Sequence, residues 1–134
     1  MAIQESVAVR NARLDAIEAT IGLTAIMKIW TGAPPGACAT ADSGTMLVSI
    51  TLPSDWMSNA ASGSKAKLGT WAGTGAAPGT AGYFRLYDST GAVCGMQGTV
   101  TATGGGGDLT LDNVSIASAQ SVTITGFTLT DGNP

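Results

Sequence analysis

The feature that most constrains this chain is a change of hydrophobic period at Gly22. Residues 1–21 contain no Gly or Pro and carry five of the fifteen charges. Ile3, Val7, Leu14, Ile17 and Ile21 follow one another at spacings of 4, 7, 3 and 4, with Arg10 at the missing position. That is one face of a helix, and Ala8, Ala12, Ala16 and Ala19 favour the same conformation. The spacing predicts a helix over about 4–21, closed by Gly22 as its C-cap.

Past Gly22 the period falls to two. Ala25, Met27 and Ile29 alternate with Ile26, Lys28 and Trp30, and TMLVSITL (45–52) is rich in β-branched residues. Pro34-Pro35-Gly36 marks the intervening stretch as a loop. LPSDWM reads as a short helical turn capped by Ser54 or Asp55. KAKLGTW (65–71) reads as a third strand, followed by a flexible GTGAAPGT connection. In YFRLYDSTGAVCGMQGTV, Tyr83, Arg85 and Tyr87 share one face, Phe84 and Leu86 the other, and Asp88–Gly91 supplies the turn. Gly95 and Gly98 in the return strand predict a bulge or a close backbone approach. DLTLDNVSI (108–116) and SVTITGFTLT (121–130) complete the set, the latter with a phase shift at Gly126 that predicts a bulge. The expectation is a mainly β protein, an antiparallel β-sandwich or small barrel of about seven strands with one N-terminal α-helix. The helix occupies 1–22 and the β domain 23–134.

Composition narrows the function. The chain has no histidine, which excludes Ser-His and Cys-His couples and histidine-ligated metals. Only 11 % of its residues are charged, and the six basic ones are scattered, so no phosphate-binding footprint exists. Ala, Gly, Thr and Ser fill 69 of 134 positions. No apolar run is long enough to span a membrane, and the polar N-terminus is unlike a secretory leader, so synthesis in the cytosol is expected. Cys38 and Cys94 lie 56 positions apart and fit no metal spacing. They admit a disulfide, although a cytosolic origin favours two reduced, buried thiols.

Several short motifs invite chemistry and give way to plainer readings. Asp42-Ser43-Gly44-Thr45 has the form of an aspartic-protease loop, but follows a Pro-Pro loop where an apolar strand is required; a turn is the better reading. Ser62-Gly63-Ser64-Lys65 matches S-x-x-K without the companion elements of that fold. Gly104–Asp108 lacks the ending of a phosphate loop and the repeats of a calcium motif, although Asp108, Asp112 and Asn113 are a conceivable cation cluster. Trp30, Trp56 and Trp71 read as core anchors or an apolar contact surface. No catalytic, cofactor or metal residue is assigned.

The helix offers two readings. Val7, Leu14, Ile17 and Ile21 pack on the sheet of their own chain, or they form an assembly interface with other copies or a larger partner.

The segments ESVAVRNARLDAIEATIG, LPSDWM, GTAGYFRLYDSTGAVCGMQGTVTATGGGGDLTLDN and SVTITGFTLTDGN resemble small virion proteins of tailed bacteriophages. The likeness covers most of the chain and rests on phrasing and composition. It implies a non-enzymatic structural protein of the virion, made in the host cytoplasm. Several small β-rich members of that group are capsid decoration, or cement, proteins that bind the outside of the head as trimers. The implied partners are the major capsid protein or other virion proteins and further copies in a homotrimer, with no cofactor, nucleic acid or membrane. The alternatives are a neck, collar or fibre component, or a carbohydrate- or cell-surface-binding module in which Trp71, Tyr83 and Tyr87 stack on sugar rings.

Overall fold

The computed structural model describes residues 3–133. Helix α1 spans Val7–Ile21, and Ser6 is its N-cap, with the hydroxyl accepting from Val9 N at 3.3 Å. The helix therefore starts three residues later than the periodicity suggests, because Ser6 takes extended φ/ψ to reach the free amide. Gly22 closes it as expected, at φ +101° with its N–H on Glu18 O.

The strands are β1 (Ile26–Thr31), β2 (Met46–Thr51), β3 (Ser64–Ala66), β4 (Trp71–Thr74), β5 (Gly79–Tyr87), β6 (Cys94–Ala102), β7 (Leu109–Leu111), β8 (Ser115–Ile116), β9 (Ser121–Ile124) and β10 (Thr128–Thr130). The chain is mainly β with one N-terminal helix, and its main sheet curls as a half-barrel. Among the described residues there are ten strands, not about seven. Three segments read as single strands are each broken in two. Gly69, at φ +73°, turns the chain between β3 and β4. The run 108–116 divides its pairing between β6 and β5, and the run 121–130 divides between β4 and β3 on either side of Gly126. Gly126 thus separates two strands in different sheets, where a bulge was expected. Pro53–Met57 contains a bend and a single bridge, with no helical turn.

The main sheet runs β2-β1-β5-β6-β7, with β8 also on β5; β3-β10 and β4-β9 are two-stranded. All pairs are antiparallel except β6-β7, where Val100 faces Leu109 in parallel register. The glycine run makes this possible. Gly105 and Gly107 fold back so close to Thr101 that a Cβ on either would lie 2.8 Å from its Oγ1. Leu86 pairs with Met96 but Tyr87 with Cys94, so the bulge near Gly95 is present. Gly95 is also a close approach, since its missing Cβ leaves space for Ile21 Cγ1.

The inner face of the sheet presents Met27, Ile29, Phe84, Leu86 and Val100 to a layer formed by Trp56, Trp71, Ile124 and Phe127. Trp71 packs its ring 5.5 Å from Phe127, which meets Phe84 edge-on at 5.6 Å. Trp56 and Trp71 are fully buried, as core anchors should be.

Candidate functional site

The helix docks on its own chain through a mixed face. Asn11, Asp15 and Glu18 stand at i, i+4 and i+7, beside Leu14 and Ile21, which are both buried. Glu18 Oε1 accepts from Trp56 N and Met57 N at 3.1 and 3.0 Å. Asp15 Oδ1 accepts from Ala60 N, and Asn11 Oδ1 from Gly63 N. Lys65 is only 2 % exposed, yet its ammonium donates to Asp15 at 2.8 Å and to Ser58 O at 2.9 Å, and stands 2.9 Å from Glu18 Oε2. Burial by itself lowers the pKa of that ammonium; the hydrogen bonds to Asp15 and Glu18 outweigh it and raise the pKa. The Asp15 carboxyl is held below its ordinary range by the hydrogen bond from Lys65, then by the Ala60 amide. Asp55 is raised by its hydrogen bond with Glu18. Lys65 is thus a charged structural anchor, which leaves the S-x-x-K match at Ser62–Lys65 with a packing role.

The apolar stripe expected to act as one interface is divided. Leu14 and Ile21 face the interior, and Ile21 belongs to the same core cluster as the strands. Ile17 is half-buried on the flank, and Val7 is exposed. Docking on the chain itself runs through the carboxylates, whose partners lie in segment 56–65, and Ile17 sits at the edge of the docked face. Between the helix and β6 this leaves an open cleft of about 460 Å³, lined by Arg13, Ala16, Ile17, Thr20, Ile21 and Met96. A second cleft of about 490 Å³ adjoins it at Leu14, Ile17 and Asp131.

On the opposite face of the sheet lies a second constellation that the sequence did not disclose. The loop 32–45 folds as a strap over Tyr83, Arg85 and Tyr87. Arg85, 2 % exposed, donates from Nη1 to Thr40 O and Asp42 Oδ1 at 2.9 and 2.8 Å. Its Nη2 donates to Ala37 O at 3.1 Å and its Nε to Gln97 Oε1 at 3.1 Å. Tyr87 OH donates to Asp42, and Tyr83 OH to Ser43 O. Gln97 Nε2 donates to Pro35 O. Asp42 therefore serves as counter-ion to Arg85 within the strap, which gives the Asp42-Ser43-Gly44-Thr45 motif a structural role. Gly44, at φ +79°, brings its backbone so close to Thr31 that a Cβ would lie 2.4 Å from the carbonyl oxygen. Trp71, Tyr83 and Tyr87, the rings considered for sugar stacking, are all buried.

Asp108 Oδ2 accepts from Thr99 N and Thr99 Oγ1, and Asn113 Oδ1 from Ser115 N. Among the described residues, no three Cys, Asp or Glu side chains are grouped to hold a metal.

No family model, no curated protein and no solved structure matches this chain.

The residues that sequence reasoning missed are Asn11, Asp15 and Glu18 on the helix, and Arg85 under the strap. The i, i+4, i+7 spacing of the first three was a readable signal. The burial of Arg85 carried none, because an arginine in a two-residue alternation reads as solvent-facing.

Proposed function

We propose that this chain is a non-enzymatic virion structural protein of tailed bacteriophages, a capsid decoration protein that binds and stabilises the outside of the head. The observation that carries this reading is the open apolar cleft beside the helix. Ile17 and Met96 line it, and Val7 stands exposed on the same helix, while helix and strands together close the core. Apolar surface left open beside a closed core fits burial against a protein neighbour. The residues at that surface are Val7 and Ile17, with Leu14 and Ile21 supporting them from inside. The partners are the major capsid protein and further copies of the chain in a homotrimer, and the destination is the virion. Many weak contacts suffice, because a protein that binds only the assembled shell stabilises it by mass action. The resemblance read from the sequence to small phage virion proteins is in keeping with this, as is the acidic pI of about 4.5, which disfavours adhesion to nucleic acid. The body is a small sandwich completed by the two-stranded sheets against the half-barrel.

The test is co-purification with intact particles. Near one copy per shell subunit supports decoration, a single ring's worth points to the neck or collar, and absence from particles refutes a virion role. The burial of Trp71, Tyr83 and Tyr87 disfavours a carbohydrate-binding module.

A further inference from the structure

We infer that Cys38 and Cys94 form a thiol–disulfide site that closes in the presence of a small-molecule disulfide and staples the strap to the sheet. The inference is independent of the virion reading. It rests first on placement. Cys38 lies within the turn whose Ala37 and Thr40 carbonyls are both held by Arg85, so its position over the sheet is fixed. Cys94 lies on β6, in register with Tyr87, whose hydroxyl is bonded to the same strap at Asp42. Cys38 and Cys94 thus stand on the same face of the sheet beside Arg85 and Tyr87, although 56 positions separate them in the chain. Both are free thiols and both are half-buried. Ala37, Ala39 and Thr40 around Cys38 are exposed, so a small reagent reaches the strap from outside.

The chemistry follows thiol–disulfide exchange. Burial pushes the Cys94 thiol up to about 11, and its contact with Cys38 adds to the rise, so Cys94 is largely protonated at neutral pH. Cys38, on the strap with exposed neighbours on both sides, is the thiol the reagent meets first. Its thiolate displaces one thiolate from the small disulfide RSSR, forming a mixed disulfide on Cys38, and the departing group takes up a proton. The Cys94 thiolate then attacks the Cys38 sulfur, breaks the mixed bond and releases the second RS group as a thiol. In sum, the protein loses two hydrogens and one RSSR becomes two RSH. The second step needs the Cys94 thiolate, so it quickens as the pH rises. The product joins a loop that begins on the strap and ends on β6, crossing β2 to β5 on the way. A disulfide closing so long a loop restricts the unfolded chain strongly.

The test uses the full reduced protein with oxidised glutathione as the probe, read by intact mass after alkylation under denaturing, non-reducing conditions. The expected product is a monomer two hydrogens lighter, with no alkyl adducts and a melting temperature raised by about 10 °C, reversed by reductant. Cys38→Ser must abolish the closed form and the thermal shift, and Cys94→Ser must retain glutathione on Cys38. Two alkylatable thiols after prolonged exposure, a doubly glutathionylated chain that never closes, or disulfides only between chains would each overturn the assignment.

Discussion

Replacing Arg85 by methionine isolates what holds the strap. The methionine keeps much of the apolar stem and removes the guanidinium. Its loss leaves Thr40 O, Ala37 O, Gln97 Oε1 and Asp42 Oδ1 without their shared donor on a face where Arg85 is 2 % exposed. Breaking a buried ion pair by removing one partner costs about 3–5 kcal/mol. Here the lower end applies, because the Asp42 side chain is 34 % exposed and Tyr87 OH still donates to it. The expected loss is about 3 kcal/mol, a large part of the roughly 5–15 kcal/mol that stabilises an ordinary domain. For a chain of this length that lowers the melting temperature by roughly 10 °C, measured by circular dichroism. Because the strap is held from the sheet side, the same variant must also alkylate Cys38 faster under native conditions. A variant that melts within about 2 °C of the parent, with unchanged alkylation, would show that strap and sheet hold together without Arg85.

Leu14→Asp places a charge in the docked face of the helix and is expected to unfold the chain or lower its melting point by well over 10 °C, whereas Val7→Asp leaves melting unchanged and weakens particle binding. Gly95→Val is expected to cost about 1–3 kcal/mol, read by denaturant unfolding, because its Cβ would lie 2.6 Å from Ile21 Cγ1 and push the helix off β6. Asp15 has a lowered folded-state pKa, so the stability it contributes is present above the ordinary carboxylate pKa and is lost as pH falls through the lowered value. The difference in melting temperature between the parent and Asp15→Asn is therefore expected at pH 6 and gone in strong acid; a difference independent of pH would remove charge from the explanation.

Local patterning in the sequence determined the helix, its glycine stop, most strand positions, the Asp88–Gly91 turn and the tight backbone at Gly95. Each of these depends on neighbours a few positions away, through helical or alternating period and the conformational freedom of glycine. Strand partners depend on distant residues, which is why 108–116 and 121–130 read as single strands although each serves two sheets. The face of the helix that turns inward was also a tertiary matter. Its apolar stripe pointed to Val7, Leu14, Ile17 and Ile21, but Trp56 N, Met57 N and Lys65 needed acceptors, and Glu18 and Asp15 supply them. Buried amides and a buried ammonium cannot be left unpaired, so their demand sets the rotation and moves Ile17 to the rim. In the same way, alternation placed Arg85 beside Tyr83 and Tyr87, and only the fold of a loop more than forty positions away decided that this face is covered.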